Sequence, residues 1–231
     1  MRRFSVWSLP ENWHKDAETV NHLMDTLGIS RITAHLLVNR GYRDAETARR
    51  FLYAGIEELG SAWSLPGMYE AVDRICRAID NKEKVLVYGD YDADGVCSTA
   101  MMVQGLQCLG LKPDYYLPSR FEEGYGLNDR AIRWAAGASY DLLITVDCGI
   151  SSINEVEIAR ASGIDVVITD HHLPPEVLPE AAAIVNPKLG VEREKNSFEL
   201  CGAGVVLQLL YALRDKFPQI DPAAWLDLAA L

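Results

Sequence analysis

Apolar positions follow two different rules along this chain. From residue 16 to residue 81 they recur at helical spacing, whereas from residue 84 short unbroken apolar runs alternate with helical stretches. In the first part, Val20, Leu23, Met24 and Leu27 share one face of a helix that Asp16 can cap and Gly28 ends. Ser30 opens a second helix, which closes near Arg40 and Gly41. Asp44 opens a third, with Ala45, Ala48, Phe51 and Leu52 on its apolar face. Ala71, Val72, Ile75, Ala78 and Ile79 predict a helix over 68–81. His14, His22 and His35 stand apart from one another here and are expected at the surface or as caps, because metal ligands cluster. Residues 1–83 thus read as a small helical region without a ligand constellation.

The second part reads as strand, loop and helix in repetition. Val85, Leu86 and Val87 form an apolar run with no alternation, as a parallel strand covered on both faces does. Gly89 breaks it, Asp90, Asp92 and Asp94 follow, Gly95 closes the turn, and 96–109 continues as a helix. Further strands are expected at 114–117, 141–146, 164–169 and 182–185. Helices are expected from Asn128 or Asp129 to 136, from Ser151 or Ser152 to 161, over 205–217, and over 223–231. The order predicts an α/β domain over 84–231: a five-stranded, mainly parallel sheet with helices on both faces. Such sheets bind ligands outside the carboxyl ends of their strands.

Chemistry collects at those ends. The first strand offers Asp90, Asp92 and Asp94, the third Asp147, and the fourth Asp170, His171 and His172. An Asp-rich turn alone can be a solvated loop. Three acidic clusters on one sheet edge, one with paired histidines, instead fit a site where cations offset the repulsion. Carboxylates and imidazole without thiolate suit Mn²⁺ or Mg²⁺, with Zn²⁺ as a competitor. The donors exceed the needs of one ion and match two ions about 3.5–4 Å apart, a pair suited to hydrolysis of phosphoesters or phosphoanhydrides. Asp147, alone on the middle strand, is the candidate bridge. One of His171 and His172 can ligate while the other faces the substrate. Gly202 and Gly204 precede a helix whose amides can face an anion. Arg120 and Lys188 sit at strand ends within reach of phosphates, and Phe121 and Tyr125 can stack on bases or pack their own loop.

Composition changes the picture only a little. The 231 residues carry a net charge of −11, which speaks against nucleic acid taken simply. The excess is uneven, however: residues 84–231 hold 11 Lys and Arg against 21 Asp and Glu, and part of that surplus is the cluster itself. Five scattered cysteines without a CxxC pair point to reduced thiols and a cytoplasmic setting. The first residues show no apolar core of a signal peptide, and no run is long enough for a membrane span.

The segments VYGDYDADGVCSTA, TVDCGISS, TDHH and LCGAGV resemble the motifs of the DHH phosphoesterase superfamily. SRFEEGYGLN, VNPK and the lead-in HLLVNRGYRDAETARRFL with LPGMYEAVDRICRAI resemble, within it, the RecJ single-strand-specific exonucleases. The resemblance implies a 5′-to-3′ exonuclease that releases 5′-mononucleotides from single-stranded DNA with two Mn²⁺ or Mg²⁺ ions. It implies Asp92, Asp94, Asp147 and His171 as ligands and His172 at the substrate side, with Asp170 beside them in the catalytic motif. Many superfamily members have a histidine where this chain has Tyr88, so Asp90 is expected to take that ligand role. Arg120 and the Gly124 to Gly126 loop are expected to flank the DNA path, and Arg120, Tyr125, Gly202 and Gly204 to bind the substrate. Single-stranded DNA is the expected partner, with a single-strand-binding protein as a second one, for a monomeric chain. The superfamily's further aspartate follows a stretch resembling DLAAL, with which this sequence ends, so the chain is expected to be the N-terminal part of a longer enzyme. Two rivals are a DHH phosphodiesterase for short oligonucleotides or cyclic dinucleotides, and a catalytically silent scaffold that binds DNA or a replication partner.

Overall fold

A computed structural model describes residues 16–56, 59–124, 126–190 and 200–231. Tyr125, His14 and most of the charged loop after Gly190 lie outside them. The chain divides into two units, residues 1–60 and 61–231. The boundary expected at 83/84 is thus not where compactness divides the chain, and the helix over 68–81 belongs with the sheet.

The first unit is helical, with α1 Ala17–Leu27, α2 Arg31–Asn39 and α3 Ala45–Tyr53. Val20, Leu23, Ala34, Leu37, Val38 and Ala48 form its core. The Ser30 and Asp44 side chains accept capping hydrogen bonds from the amides of Thr33 and Thr47, as the sequence predicts. Asp16 does not cap α1, because its carboxylate is engaged by Arg43. His35 is buried rather than at the surface, because it shares the inward face of α2 with Ala34 and Val38.

The second unit is a five-stranded sheet in the order β2–β1–β3–β4–β5, with every pairing parallel. Its strands are β1 Val85–Tyr88, β2 Asp114–Tyr116, β3 Leu142–Val146, β4 Asp165–Thr169 and β5 Ala183–Val185. Pleating sorts the side chains. Val85, Val87, Leu142, Ile144, Val146 and Val167 enter one core, with α4 Met68–Asn81, α5 Ala93–Cys108 and α8 Gly202–Lys216. Leu86, Tyr88, Leu143, Val166 and Ile168 enter the opposite core, with α6 Asp129–Gly137 and α7 Ile153–Ala161. Burial on both faces is why these strands read as unbroken apolar runs.

Two helices start earlier than their apolar pattern suggests. α5 begins at Ala93, inside the acidic turn, because Asp92 caps it by accepting from the Gly95 amide at 3.0 Å. Gly95 therefore does not close the turn. It packs against the Asp90 backbone, where a Cβ would come within 2.6 Å of the carbonyl oxygen. α8 begins at Gly202, and the final helix shortens to α9 Leu226–Ala229 behind a 3₁₀ turn over Pro222–Trp225. The chain leaves β1 for β2 on one side and returns to β3 on the other. The carboxyl ends of β1 and β3 thus flank the switch point, where open parallel sheets place their ligands.

Candidate metal centre

Asp90 follows β1 and is 3% exposed. Its Oδ1 is buried with no hydrogen-bond partner, and burial raises its pKa. A buried carboxylate oxygen without a donor is costly unless a proton or a cation satisfies it. Asp147 follows β3 in a tight turn, with φ of +61° and 2% exposure. Its Oδ1 lies 3.1 Å from His171 Nε2, which is 3.6 Å from Asp94 Oδ2. Burial lifts Asp147 to about 6, and the hydrogen bond to Asp147 raises His171 in turn. Both directions mean that, without a cation, the pair binds protons more tightly than the free groups do.

Two groups of potential ligands emerge among the described residues. Asp90, Asp92 and Asp147 present donor atoms within 4.8 Å of one another, and so do Asp147, His171 and His172. Asp147 belongs to both. Donors of this type suit divalent cations such as Mn²⁺ or Mg²⁺, and the orphaned Asp90 oxygen fits the same purpose.

Asp94 is placed differently from its neighbours in sequence. It lies in the first turn of α5, and its two oxygens accept from the amides of Gly202 and Ala203, each at 2.7 Å. The positive end of α8 therefore faces Asp94. Of the two glycines expected to meet substrate, Gly202 thus gives its amide to Asp94, and Gly204 N donates to Cys201 Sγ at 3.4 Å. The glycine at 202 is required by contact, since a Cβ there would come within 2.6 Å of Asp147 Cβ.

Asp170, expected among the catalytic residues, is fully buried. Its Oδ1 accepts from the amides of His171 (2.7 Å) and His172 (3.0 Å) and pairs with His172 Nδ1 at 2.7 Å. Its Oδ2 accepts from Ile150 N at 3.0 Å. These bonds use the carboxylate to orient the DHH turn. A carboxylate at Nδ1 keeps the proton on that nitrogen and leaves Nε2 for the site.

Tyr88 points away from the centre, because it shares the pleat direction of Leu86. Its hydroxyl donates to the Gly126 carbonyl (2.9 Å) and accepts from Asn128 Nδ2 (3.0 Å). The Arg120 guanidinium lies 5.4 Å from the Tyr91 ring, between Asp90 and Asp92 in sequence, and its charge pulls against the upward shift of Asp90. Phe121 is 97% exposed beside it. The backbone of Lys188 is fixed by Asn186 Oδ1. Asn186 itself escaped the sequence reading. It is fully buried after β5, and its Nδ2 donates to the His172 carbonyl at 3.0 Å. Its position just past a strand end was the available signal. Glu123 escaped it too: it gathers Tyr116 Oη, Ser119 N and Asn128 Nδ2 and so braces the loop that carries Arg120.

Fold and site together define a parallel α/β domain with a carboxylate and imidazole centre at its switch point. The chain belongs to the DHH family, whose N-terminal domain model matches residues 84–231. It is similar to the single-stranded-DNA-specific exonuclease RecJ of Bacillus subtilis (strain 168), at 44% identity over 217 residues. That match covers 94% of this chain and 27% of the relative. A crystal structure of exonuclease RecJ bound to manganese superposes with a TM-score of 0.68 at 36% identity, over 74% of this chain and 43% of that one. RecJ from Thermus thermophilus in complex with Mn²⁺ gives 0.71 at 29% identity, over 99% and 31%. The chain thus spans about a quarter of the length of its Bacillus relative. No helix among the described residues is long and apolar enough to cross a membrane.

Proposed function

We propose that this chain carries the catalytic core of a two-metal exonuclease acting 5′ to 3′ on single-stranded DNA and releasing 5′-mononucleotides. The observation that carries the proposal is the sharing of Asp147 between two ligand groups. A carboxylate common to both suits a pair of closely spaced cations. Asp90, Asp92 and Asp147 would hold one Mn²⁺ or Mg²⁺, and Asp147 and His171 the other, with Asp94 Oδ2 3.6 Å from His171 Nε2, and with His172, the third member of that group, turned to the substrate. Bound cations supply Lewis-acid charge and an acidified water. His172, held at Nδ1 by Asp170, presents Nε2 to the phosphate and can stabilise charge or donate a proton there. Arg120 faces the strand's backbone and Phe121 its bases. The names of the relatives support single-stranded DNA as substrate. We place the protein in the cytoplasm as a monomer, with a single-strand-binding protein as its second partner, and assign catalysis to residues 84–231.

The test is Mn²⁺-dependent release of mononucleotides from 5′-phosphorylated single-stranded DNA, with Asp147→Ala as control. Dinucleotides and a cyclic dinucleotide run in parallel. Release from the long strand, lost in the variant, is the expected result. Preference for the short substrates would reassign the chain to the smaller DHH phosphodiesterases. Unchanged turnover in Asp147→Ala would refute the shared-ligand reading.

A further inference from the structure

An open cleft of about 400 Å³ adjoins the metal centre, with His172 as their common wall. We propose that this cleft is a subsite for the nucleoside part of the nucleotide whose phosphate meets the centre. The proposal rests on the reading of the chain as a nucleic-acid hydrolase. The size falls in the range of roughly 300–1,000 Å³ usual for small-ligand clefts.

Both walls are tied to strands that carry the carboxylates. On one side are Gly126 and Leu127. The Gly126 carbonyl accepts from Tyr88 Oη at 2.9 Å, and Tyr88 is the last residue of β1, fully buried. On the other side are Ser151 and Ser152, beyond the turn that follows β3. Thr145 Oγ1 donates to the Cys148 carbonyl at 2.8 Å, and Ile150 N donates to Asp170 at 3.0 Å, which fixes that turn. The cleft therefore keeps its shape relative to Asp90 and Asp147 before any ligand arrives, and a preorganised site loses less on binding.

The lining selects what can enter. Leu127 gives an apolar surface, Ser151 and Ser152 give hydroxyls, and Ser152 makes no capping hydrogen bond to α7. Glu155 also lines it, and among the described residues neither lysine nor arginine does. A carboxylate there repels a phosphate and accepts from a base amino group or a sugar hydroxyl. The phosphate thus belongs on the cation side of His172, and the neutral nucleoside in the cleft.

Calorimetric titration of the Mn²⁺-loaded chain with a 5′-deoxynucleoside monophosphate, 2-deoxyribose 5-phosphate and inorganic phosphate tests this. The mononucleotide should bind about tenfold more tightly than inorganic phosphate, the worth of one or two modest hydrogen bonds. Deoxyribose 5-phosphate separates the sugar's share from that of the base. Ser152→Leu, which fills the cleft, should bring the mononucleotide to the affinity of phosphate and leave phosphate unchanged. Ser151→Leu serves the same purpose if the first variant does not fold. Equal binding of mononucleotide and phosphate by the unaltered chain would overturn the cleft assignment alone. So would a variant that weakens both ligands alike, or neither. If manganese binds but no phosphate compound does, the hydrolase reading falls with it.

Discussion

Replacing Asp170 by asparagine separates a ligand from an anchor. The carboxylate is fully buried and meets four nitrogens, three on Oδ1 and one on Oδ2. Asparagine offers one oxygen and one NH₂. Its better rotamer keeps the oxygen at the Oδ1 position, where the amides of His171 and His172 and the His172 ring can still donate. The NH₂ then opposes the Ile150 amide, donor against donor, in a position only 2% exposed. One hydrogen bond is lost and a buried N–H is left without an acceptor, a cost of about 1–3 kcal/mol. Asp170→Ala strands all four nitrogens and should cost about 3–5 kcal/mol, the range for breaking a buried charge-assisted contact. Urea unfolding of the metal-free chain reads both. Mn²⁺ titration of Asp170→Asn should keep the stoichiometry, since Asp170 belongs to neither ligand group. Turnover should fall about 10–100-fold as His172 loses its charged anchor, the usual effect of removing a partner behind a working side chain. Unchanged stability together with the loss of one manganese equivalent would refute the reasoning and make Asp170 a ligand.

Other consequences can be checked as directly. Asp147 and His171 both bind protons more tightly folded than at their ordinary values of 3.8 and 6.5, so the native state holds the extra proton. The stability of the metal-free chain should therefore decline as pH rises from about 4 through 6 and beyond 6.5, and apparent Mn²⁺ affinity should climb over the same window. Asp147→Asn should flatten the Asp147 part of the unfolding profile. Gly202→Ala drives a methyl group into Asp147, so Mn²⁺ affinity should fall while circular dichroism stays native, at a stability cost of about 1–3 kcal/mol. Arg120→Ala should weaken single-strand binding, read by fluorescence anisotropy, more than Mn²⁺ binding; equal losses would remove Arg120 from the substrate path.

The sheet was legible because its physics is local. A strand buried on both faces must be apolar throughout, and 85–88, 142–146 and 165–169 each satisfy that within a few residues. Strand ends then located Asp90, Asp147 and His171 without any knowledge of long-range contacts. The beginnings of α5 and α8 were not legible from apolar spacing, because polar and small residues start both helices. Asp92 caps α5 locally, by accepting from the Gly95 amide three residues on, and Gly202 is small because Asp147 packs against it. Tyr88 could have been assigned from parity alone, since it alternates with Val87 and must share the face of Leu86. The division at 60/61 falls in a stretch broken by Gly55, Gly60 and Pro66-Gly67, but α4 beyond it looks like the helices before it and differs only in packing on the sheet.

The number of carboxylates turns out to be a poor guide to the number of cations. Repulsion among acidic groups at one sheet edge suggested ions, yet much of that charge is answered by the chain itself. The amides at the start of α8 face Asp94, three amides and a ring nitrogen face Asp170, and His171 Nε2 faces Asp147. What remains unanswered is Asp90 Oδ1, buried and without a donor, with Asp92 and Asp147 close by. A second cation is suggested by geometry rather than by counting: Asp147 forms one donor group with His171 and His172 and another with Asp90 and Asp92. If Asp90→Asn removes one of two manganese equivalents and His171→Gln removes the other, the centre is a pair joined at Asp147. If either substitution removes both, the two groups hold a single shared site.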